Sequence, residues 1–506
     1  MQVHNFLENS AKNYPQKRAV WFEKEWFTYG EIDSKSAKLC SYLVNNGIKK
    51  GDRVALLLDN SIDYIIAYFG ILKAGAVVVG LNTELSISLI GYKLINSRSK
   101  IVITGRKYID KFIEVRKALN GTLTNVIVDK PLITISQNNL VNNNLEHIYY
   151  SEEEASSVRT IDLDLAEIVY TSGSTGQPKG VMLTHLNLTS NMYSIVKYLH
   201  LTENDRIMVI LPFNYIYGKS LLLTHFLAGG SVVIDNRFTY PNLVLETMQK
   251  TEVTGFAGVP SSFSILLSRS NLDQIKFDSL RYITQAGGAM APALQEAVAE
   301  IFSPAKLYVM YGATEAAPRL SYLEPEMLRS KLGSIGKPVD NVELKILDID
   351  GSVVAQGKTG EIAARGSNIM KGYWKDPVGT EKVFCNGYYL TGDLGKKDQD
   401  GYFYVVGRKN DFIKSKGYKV SAKAIEENIM EFDGVQEVAV TSIPDEELGE
   451  AIKAYIVPQK NVQLKQNEIR DFLREKLASY KIPKYILFVN SLPKNKSGKI
   501  LKKELS

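Results

Sequence analysis

Tyr170-Thr-Ser-Gly-Ser-Thr-Gly-Gln-Pro-Lys-Gly-Val181 packs glycines, hydroxyl side chains and one lysine into a single short run. Gly173 and Gly176 lack the Cβ atoms that would hold a backbone away from phosphate oxygens. Thr171, Ser172, Ser174 and Thr175 offer hydroxyl donors, and Lys179 adds a positive charge. A loop of this kind suits a polyphosphate, and ATP is the expected ligand. It is not the Gly-x-x-x-x-Gly-Lys-Ser/Thr loop, because Pro178 stands directly before the lysine. Ser/Gly-rich composition elsewhere marks a flexible linker. Here the apolar run Ala166-Glu-Ile-Val-Tyr170 feeds straight into the loop and Val181-Met-Leu183 follows it, which places it inside a folded core.

On both sides of the loop, apolar β-branched runs alternate with helix-like stretches. Arg53-Val-Ala-Leu-Leu-Leu58 is followed by a helical pattern from Ile62 to Lys73, then by Gly75 and Ala76-Val-Val-Val79, the signature of parallel β-α-β units. The alternation continues at Arg206-Ile-Met-Val-Ile-Leu211, Ser231-Val-Val-Ile234, Val253-Thr-Gly-Phe256, Leu280-Arg-Tyr-Ile283 and Lys306-Leu-Tyr-Val309, with a helical spacer from Pro292 to Ile301. The polar stretch from Ser136 to Ser157 reads as a surface excursion or linker. After Gly333 short strands bounded by glycine and aspartate take over (Val342 to Leu347, Gly360 to Ala364, Gly401 to Val406) and predict a small β subdomain. From about Asp411, helices at Ala422 to Met430 and Gln466 to Leu477 alternate with strands at Gln436 to Thr441 and Ala451 to Val457, enough for a small α+β domain. The fold class is therefore α/β: a large N-terminal domain of mostly parallel sheets flanked by helices with a β subdomain, then a small α+β domain. The expected divisions are residues 1–407 and 412–506, joined by 408–411.

At 506 residues the chain exceeds what one hydrophobic core serves, and 45% apolar residues support ordinary globular cores. A net charge of +6, from interspersed lysines and acids, implies no nucleic-acid partner. Cys40 and Cys385 are far apart and lack metal-ligand spacing, so neither a disulfide framework nor a zinc site is expected, and both read as buried small apolar residues of a reducing compartment. The N-terminal run carries Glu8 and no long apolar core, unlike a signal peptide, and no segment has the length of a membrane span. A soluble cytoplasmic protein is expected.

Four further motifs follow the loop in order: Tyr311-Gly-Ala-Thr-Glu315, Tyr389-Leu-Thr-Gly-Asp393, Gly407-Arg-Lys-Asn-Asp-Phe-Ile-Lys414 and Leu492-Pro-Lys-Asn-Lys-Ser-Gly-Lys499. Together with the loop they resemble the adenylate-forming superfamily of acyl-CoA synthetases, carrier-protein-loading adenylation domains and firefly luciferase. Thr28-Tyr-Gly-Glu31 and Leu72-Lys-Ala-Gly-Ala76 resemble its opening elements, so the likeness covers nearly the whole chain. The acyl-CoA synthetases are the nearest in pattern.

The resemblance implies a two-step reaction. A carboxylate attacks the α-phosphate of ATP and pyrophosphate leaves. The acyl-adenylate then passes its acyl group to a thiol, expected to be that of coenzyme A, with a carrier protein or an amine as the alternative acceptor. Two anions must meet in the first step, so cations and donors are needed where charge builds up. By the resemblance, the loop with Lys179 holds the β- and γ-phosphates, Thr314 donates to the α-phosphate, and Glu315 holds Mg²⁺, which favours one or two carboxylates plus phosphate oxygens. Tyr311 would stack on adenine beside the bare backbone of Gly287 and Gly288 in Gln285-Ala-Gly-Gly-Ala289, with Ala289 and Gly312 also among the nucleotide-binding residues. Asp393 would accept from both ribose hydroxyls and Arg408 would contact the ribose. Lys499 would be the catalytic lysine reaching between carboxylate and α-phosphate, whereas the neighbouring lysines read as solvated charge. The acyl pocket would be lined by Tyr215, Ile216, Gly218, Gly258, Ala286 and Ala313. After adenylation the C-terminal domain would turn about Asn410 and bring Lys416, Gly417 and Tyr418 to the site as a thiol tunnel.

The aromatic gate Pro212-Phe-Asn-Tyr-Ile-Tyr-Gly218 departs from many relatives. Tyr215 stands where they carry histidine. Ile216 stands where amino-acid-activating relatives place an aspartate that pairs with the α-ammonium. An apolar side chain cannot pair with a buried ammonium, so the expected substrate is an acyl or aryl acid. A protein that only binds nucleotide or acyl-adenylate, without turnover, is the competing reading. It leaves Lys179, Glu315, Asp393, Arg408 and Lys499 without a shared purpose.

Overall fold

The structure is a computed structural model that describes residues 1–118, 125–131, 143–151, 158–171, 177–409, 412–415, 418–445, 449–494 and 500–505. Among the described residues its N-terminal part is built on two large sheets. One has nine strands, whose middle members Arg206–Val209, Ser231–Ile234, Gly255–Gly258, Tyr282–Gln285 and Lys306–Gly312 run parallel. The other has eight, including the parallel pair Arg53–Leu57 and Val77–Gly80 with Arg53 opposite Val77. Antiparallel strands occur at the edges of both.

The sequence pattern explains the layering. Along Arg53–Leu57, Val54 and Leu56 join the apolar cluster between the sheets while Ala55 and Leu57 join the cluster on the outer face, as a period of two requires. Helix Ile62–Lys73 is buried on every side from Tyr64 to Leu72, because it lies in the layer between the sheets with His185–Leu199 and Ile216–Ala228. Ser61 caps its start by accepting from Tyr64 N. The opening Thr28-Tyr-Gly-Glu31 is a capping box: Glu31 N donates to Thr28 Oγ1 and Thr28 N donates to Glu31 Oε2, starting helix Tyr29–Asn45.

Most expected elements appear within a residue or two of their sequence limits, and Ile62–Lys73, Ser231–Ile234, Pro292–Ile301, Val342–Leu347 and Ala422–Met430 coincide with them. Two readings need correction. The polar stretch from Ser136 to Ser157 contains a short helix, Leu145–Tyr149, capped by Asn144 and anchored by buried Leu145 and Ile148. Two apolar side chains in a polar run are too few to show a period. Cys385 is half-buried, not buried like Cys40, since it lies in the short strand Phe384–Cys385 at the edge of its sheet.

The β subdomain packs Val342–Leu347, Gly360–Gly366, Tyr388–Lys397 and Phe403–Arg408 into one antiparallel sheet. Asn187 ties it to the helical layer by donating through Nδ2 to Ser367 O and Ile369 O, both at 2.8 Å. A last sheet, from Phe412–Ser415 to Tyr485–Phe488, is covered by Ala422–Met430 and Gln466–Lys476 around its own apolar cluster. It meets the β subdomain where Ser421 Oγ donates to Val406 O at 2.8 Å and Lys423 Nζ to Val405 O at 2.6 Å. Among the described residues no helix is long and apolar enough to cross a membrane.

Candidate active site

Three parallel strands end on one crevice. Gly258 closes Gly255–Gly258, Ala286 to Ala289 follow Tyr282–Gln285, and Gly312 closes Lys306–Gly312 with Ala313 after it. The carboxyl ends of parallel strands are where open α/β sheets bind ligands. Strand Arg206–Val209 leads to the same edge and into the gate at Pro212 to Gly218. Gly287 has φ +84°, and a Cβ there would lie 3.0 Å from Tyr215 Oη, so the turn needs glycine for conformation and for closeness to the gate. A Cβ on Gly218 would come within 2.3 Å of Pro212 O, so glycine lets the gate fold back on its own helix. Gln285 Nε2 donates to Gly288 O at 2.8 Å and fixes the loop.

The 311–315 and 389–393 motifs meet directly. Tyr311 Oη donates to Asp393 Oδ2 at 2.6 Å, and Arg408 Nε donates to Asp393 Oδ1 at 3.0 Å. The antiparallel register sets Asp393 opposite Arg408. Asp393 is largely buried, whereas the Arg408 side chain remains 55% exposed. Burial, reinforced by the Asp393 carboxylate, holds the Tyr311 hydroxyl far above its ordinary pKa, so it stays a donor. Each Asp393 oxygen keeps further acceptor capacity for a ligand hydroxyl.

A second cluster joins the phosphate loop to Glu315. Thr171 and Lys179 face each other across the antiparallel pair Leu165–Thr171 and Lys179–Thr184. Lys179 Nζ lies 3.0 Å from Asp376 Oδ2 and 4.8 Å above the Tyr373 ring. Tyr373 Oη donates to Glu315 Oε1 at 2.9 Å. Hydrogen bonding to Lys179 holds the Asp376 carboxyl below its usual range. Thr314 and Glu315 lie on the turn Thr314–Ala316, and Met370 N donates to Glu315 O at 2.8 Å. Tyr389, buried, feels the charges or hydroxyls of Glu315, Tyr373, Tyr311 and Asp393, so the two clusters share one neighbourhood. Among the described residues no three His, Cys, Asp or Glu converge as a metal cage. One accessible carboxylate, Glu315, completed by substrate phosphate and water, fits the sparse protein coordination that Mg²⁺ favours.

Sequence reasoning missed Tyr373 and Asp376. They sit in Gly372-Tyr-Trp-Lys-Asp376, whose first two residues form a strand beside Lys179–Thr184, with Tyr373 opposite Val181. An aromatic run between two known motifs was the available signal. Ser172, Gly173, Ser174, Thr175, Gly176, Asn410, Lys416, Gly417 and Lys499 lie outside the described residues, and Tyr418 opens the strand Tyr418–Ser421.

Ile216 is buried as the first residue of helix Ile216–Ala228, and Tyr215 stands at its N-cap. Tyr217 of the gate lines a small cavity of about 10 Å³ together with His225, Tyr282, Thr284, Met310 and Arg319.

The family model for AMP-binding enzymes matches residues 7–374, and that for the AMP-binding enzyme C-terminal domain matches residues 424–499. A long-chain-fatty-acid–CoA ligase of Bacillus subtilis is 31% identical over 99% of this chain and 94% of its own length. A feruloyl-CoA synthase of an Amycolatopsis species is 32% identical over 98% and 96%. Among solved structures, o-succinylbenzoate CoA synthetase of Bacillus subtilis with its acyl-adenylate intermediate superposes with a TM-score of 0.86 at 29% identity, covering 99% of this chain and 98% of that one. The same enzyme has also been solved with ATP and magnesium ion.

Proposed function

This chain belongs to the AMP-binding enzyme family and is an AMP-forming acid–thiol ligase, and we propose the following division of labour among its residues. Its substrates are ATP, a carboxylic acid and coenzyme A. The observation that carries the assignment is the pair of adjoining clusters, Tyr311–Asp393–Arg408 and Lys179–Asp376 with Glu315–Tyr373, at the carboxyl ends of the parallel strands.

Asp393, oriented by Tyr311 and Arg408, accepts from the ribose hydroxyls. The adenine lies between Tyr311 and the backbone of Gly287 and Gly288. The loop from Thr171 to Gly176 and Lys179 neutralise the β- and γ-phosphates, so Lys179 exchanges Asp376 for phosphate oxygens on ATP binding. Glu315 would hold Mg²⁺, which when bound would supply positive charge where pyrophosphate departs. Thr314 and Lys499 bind the α-phosphate oxygens while the acid carboxylate attacks phosphorus. The products are acyl-AMP and pyrophosphate.

In the second step the thiol sulfur attacks the acyl carbonyl and AMP leaves. We assign residues 408–411 to the hinge, with Asn410 at its centre, and Lys416, Gly417 and Tyr418 to the thiol path. The buried apolar Ile216 at the gate supports an acyl or aryl acid over an α-amino acid. Two free cysteines, Cys40 and Cys385, suit the reducing cytoplasm.

The test of the acceptor is Gly417→Leu. A leucine in the thiol path should leave acid-dependent ATP–pyrophosphate exchange intact and stop acyl-CoA formation, because several added methylenes in a packed channel are not relieved by small shifts. Undiminished acyl-CoA output would contradict the tunnel, and acyl transfer only to a carrier protein would replace coenzyme A as acceptor.

A further inference from the structure

The gate at Pro212 to Gly218 follows strand Arg206–Val209 of the nine-stranded sheet, yet it is fastened to the eight-stranded one. The fastener is Asn60. It lies between strand Arg53–Leu57 and helix Ile62–Lys73, just past the carboxyl end of that strand, and is 6% exposed. Asn60 Nδ2 donates to Leu211 O at 2.9 Å, and Asn60 Oδ1 accepts from Phe213 N at 2.7 Å. Asn236 Nδ2 donates to Asn60 O at 2.9 Å and ties the same turn to the segment after strand Ser231–Ile234.

The two side-chain bonds straddle Pro212, which has no N–H of its own. A carbonyl on one side and an N–H on the other are what a strand edge presents, and the carboxamide answers both as a neighbouring strand would. Leu211 O can only accept and Phe213 N can only donate, so the partners themselves fix which way the amide points.

The contact between gate and eight-stranded sheet continues around Asn60. The Phe213 ring packs against Tyr64 of helix Ile62–Lys73 with ring centres 5.5 Å apart. A Cβ on Gly80, the last residue of strand Val77–Gly80, would lie 3.4 Å from Asn214 Cα, so the gate backbone abuts the end of that strand too. Beyond this anchored stretch Tyr215 N donates to Pro212 O at 3.1 Å, and the chain enters helix Ile216–Ala228 with Tyr215 beside Gly287. The position of Tyr215 and Ile216 is thus set from Leu211 to Phe213, by a side chain of the other sheet.

We propose that Asn60 is a positioning residue for the acid: through Leu211 and Phe213 it sets where Tyr215 and Ile216 stand, and so how the acyl or aryl carboxylate is held for adenylation. This rests on the ligase reading above and adds to it a residue that acts through the gate rather than by touching the reacting atoms. The nucleotide contacts assigned to Tyr311, Asp393, Arg408 and Lys179 lie on other elements, so ATP binding is the internal control.

The experiment is ATP–pyrophosphate exchange with the fatty or aryl acid that stimulates the wild-type protein most, acid and ATP being varied separately. Asn60→Ala removes the partner of two buried backbone groups, so KM for the acid should rise about tenfold or more while KM for ATP stays within about twofold. Asn60→Asp carries the finer test. Its neutral carboxyl has the donor and the acceptor of the amide, whereas its carboxylate can only accept and faces Leu211 O. Burial favours the neutral form, so exchange by Asn60→Asp at subsaturating acid should approach the wild type near about pH 6 and fall about tenfold below it toward about pH 9. Thermal unfolding shows that each variant is folded, and the pH comparison is read within one variant. An unchanged KM for the acid in folded Asn60→Ala, a rise shared equally by acid and ATP, or an Asn60→Asp profile parallel to the wild type overturns the proposal and leaves the ligase reading standing. A wild-type protein that exchanges with no acid of the panel contradicts that reading, and the proposal with it.

Discussion

Tyr311 reaches across 82 residues of sequence to donate a 2.6 Å hydrogen bond to Asp393, and through it two distant motifs become one wall of the site proposed for the nucleotide. Arg408 completes that wall from the last strand of the β subdomain, close to the junction with the C-terminal domain. The carboxylate proposed to hold the ribose is thus oriented without ATP, which would spare reorganisation on binding.

Tyr311→Phe removes this donor and little else. A hydrogen bond to a charged group contributes about 1.5–3 kcal/mol, so KM for ATP should rise on the order of tenfold or more at saturating acid, with a smaller change in kcat. An unchanged KM for ATP would show that Asp393 needs no orientation from Tyr311.

Glu315→Gln removes the negative charge assigned to Mg²⁺ but keeps an oxygen to accept from Tyr373. Titrating magnesium at fixed ATP should show a requirement shifted upward about tenfold or more, with activity partly recovered at high metal. Tyr373→Phe, which frees Glu315 without discharging it, should shift the requirement less. Equal shifts would assign the effect to packing rather than to the metal.

Much of this arrangement was legible in the sequence because its signals are local. Strand Arg53–Leu57 and helix Ile62–Lys73 announce themselves by apolar run and cap, and glycines and aspartates bound the short strands of the β subdomain. Lys179, Glu315, Asp393 and Arg408 stood out within motifs. Tyr373 and Asp376 did not. Tyr373 matters because its strand pairs with Lys179–Thr184, which is not written in its neighbours along the chain. The helix at Leu145–Tyr149 escaped for a similar reason, since its two anchors find their core only in three dimensions.

His225 supplies a pH signature for the cavity wall. Burial is the main cause that pushes its pKa from 6.5 down to about 4, with Nδ1 2.8 Å from Leu221 O and Nε2 2.9 Å from Tyr282 Oη. The unfolded chain takes up the proton near pH 6.5 and the folded chain only near 4. The stability is therefore fully present above pH 6.5 and is lost as pH falls from there toward 4, on the order of 3 kcal/mol. Denaturant melts at several pH values should show this loss in the wild type and a shallower slope in His225→Asn. An identical slope would mean that His225 is not held neutral by the fold.

Lys499→Ala should slow acyl-adenylate formation by roughly a hundred- to a thousandfold, the scale of losing one transition-state charge partner. Thioester formation from supplied acyl-adenylate should be nearly unaffected, because that step does not need the lysine between carboxylate and phosphate. Equal losses in both half-reactions would remove Lys499 from its assigned role.

The most direct test of the account is the identity of the nucleotide products in each half-reaction. With ATP, magnesium and a panel of carboxylic acids, but no coenzyme A, the protein should catalyse ATP–pyrophosphate exchange that depends on an acyl or aryl acid and is not stimulated by free α-amino acids. Adding coenzyme A should then release AMP in equal measure with acyl-CoA. Formation of ADP and phosphate, or exchange supported best by an α-amino acid, would contradict the reading of this site as the adenylating centre of an acid–thiol ligase.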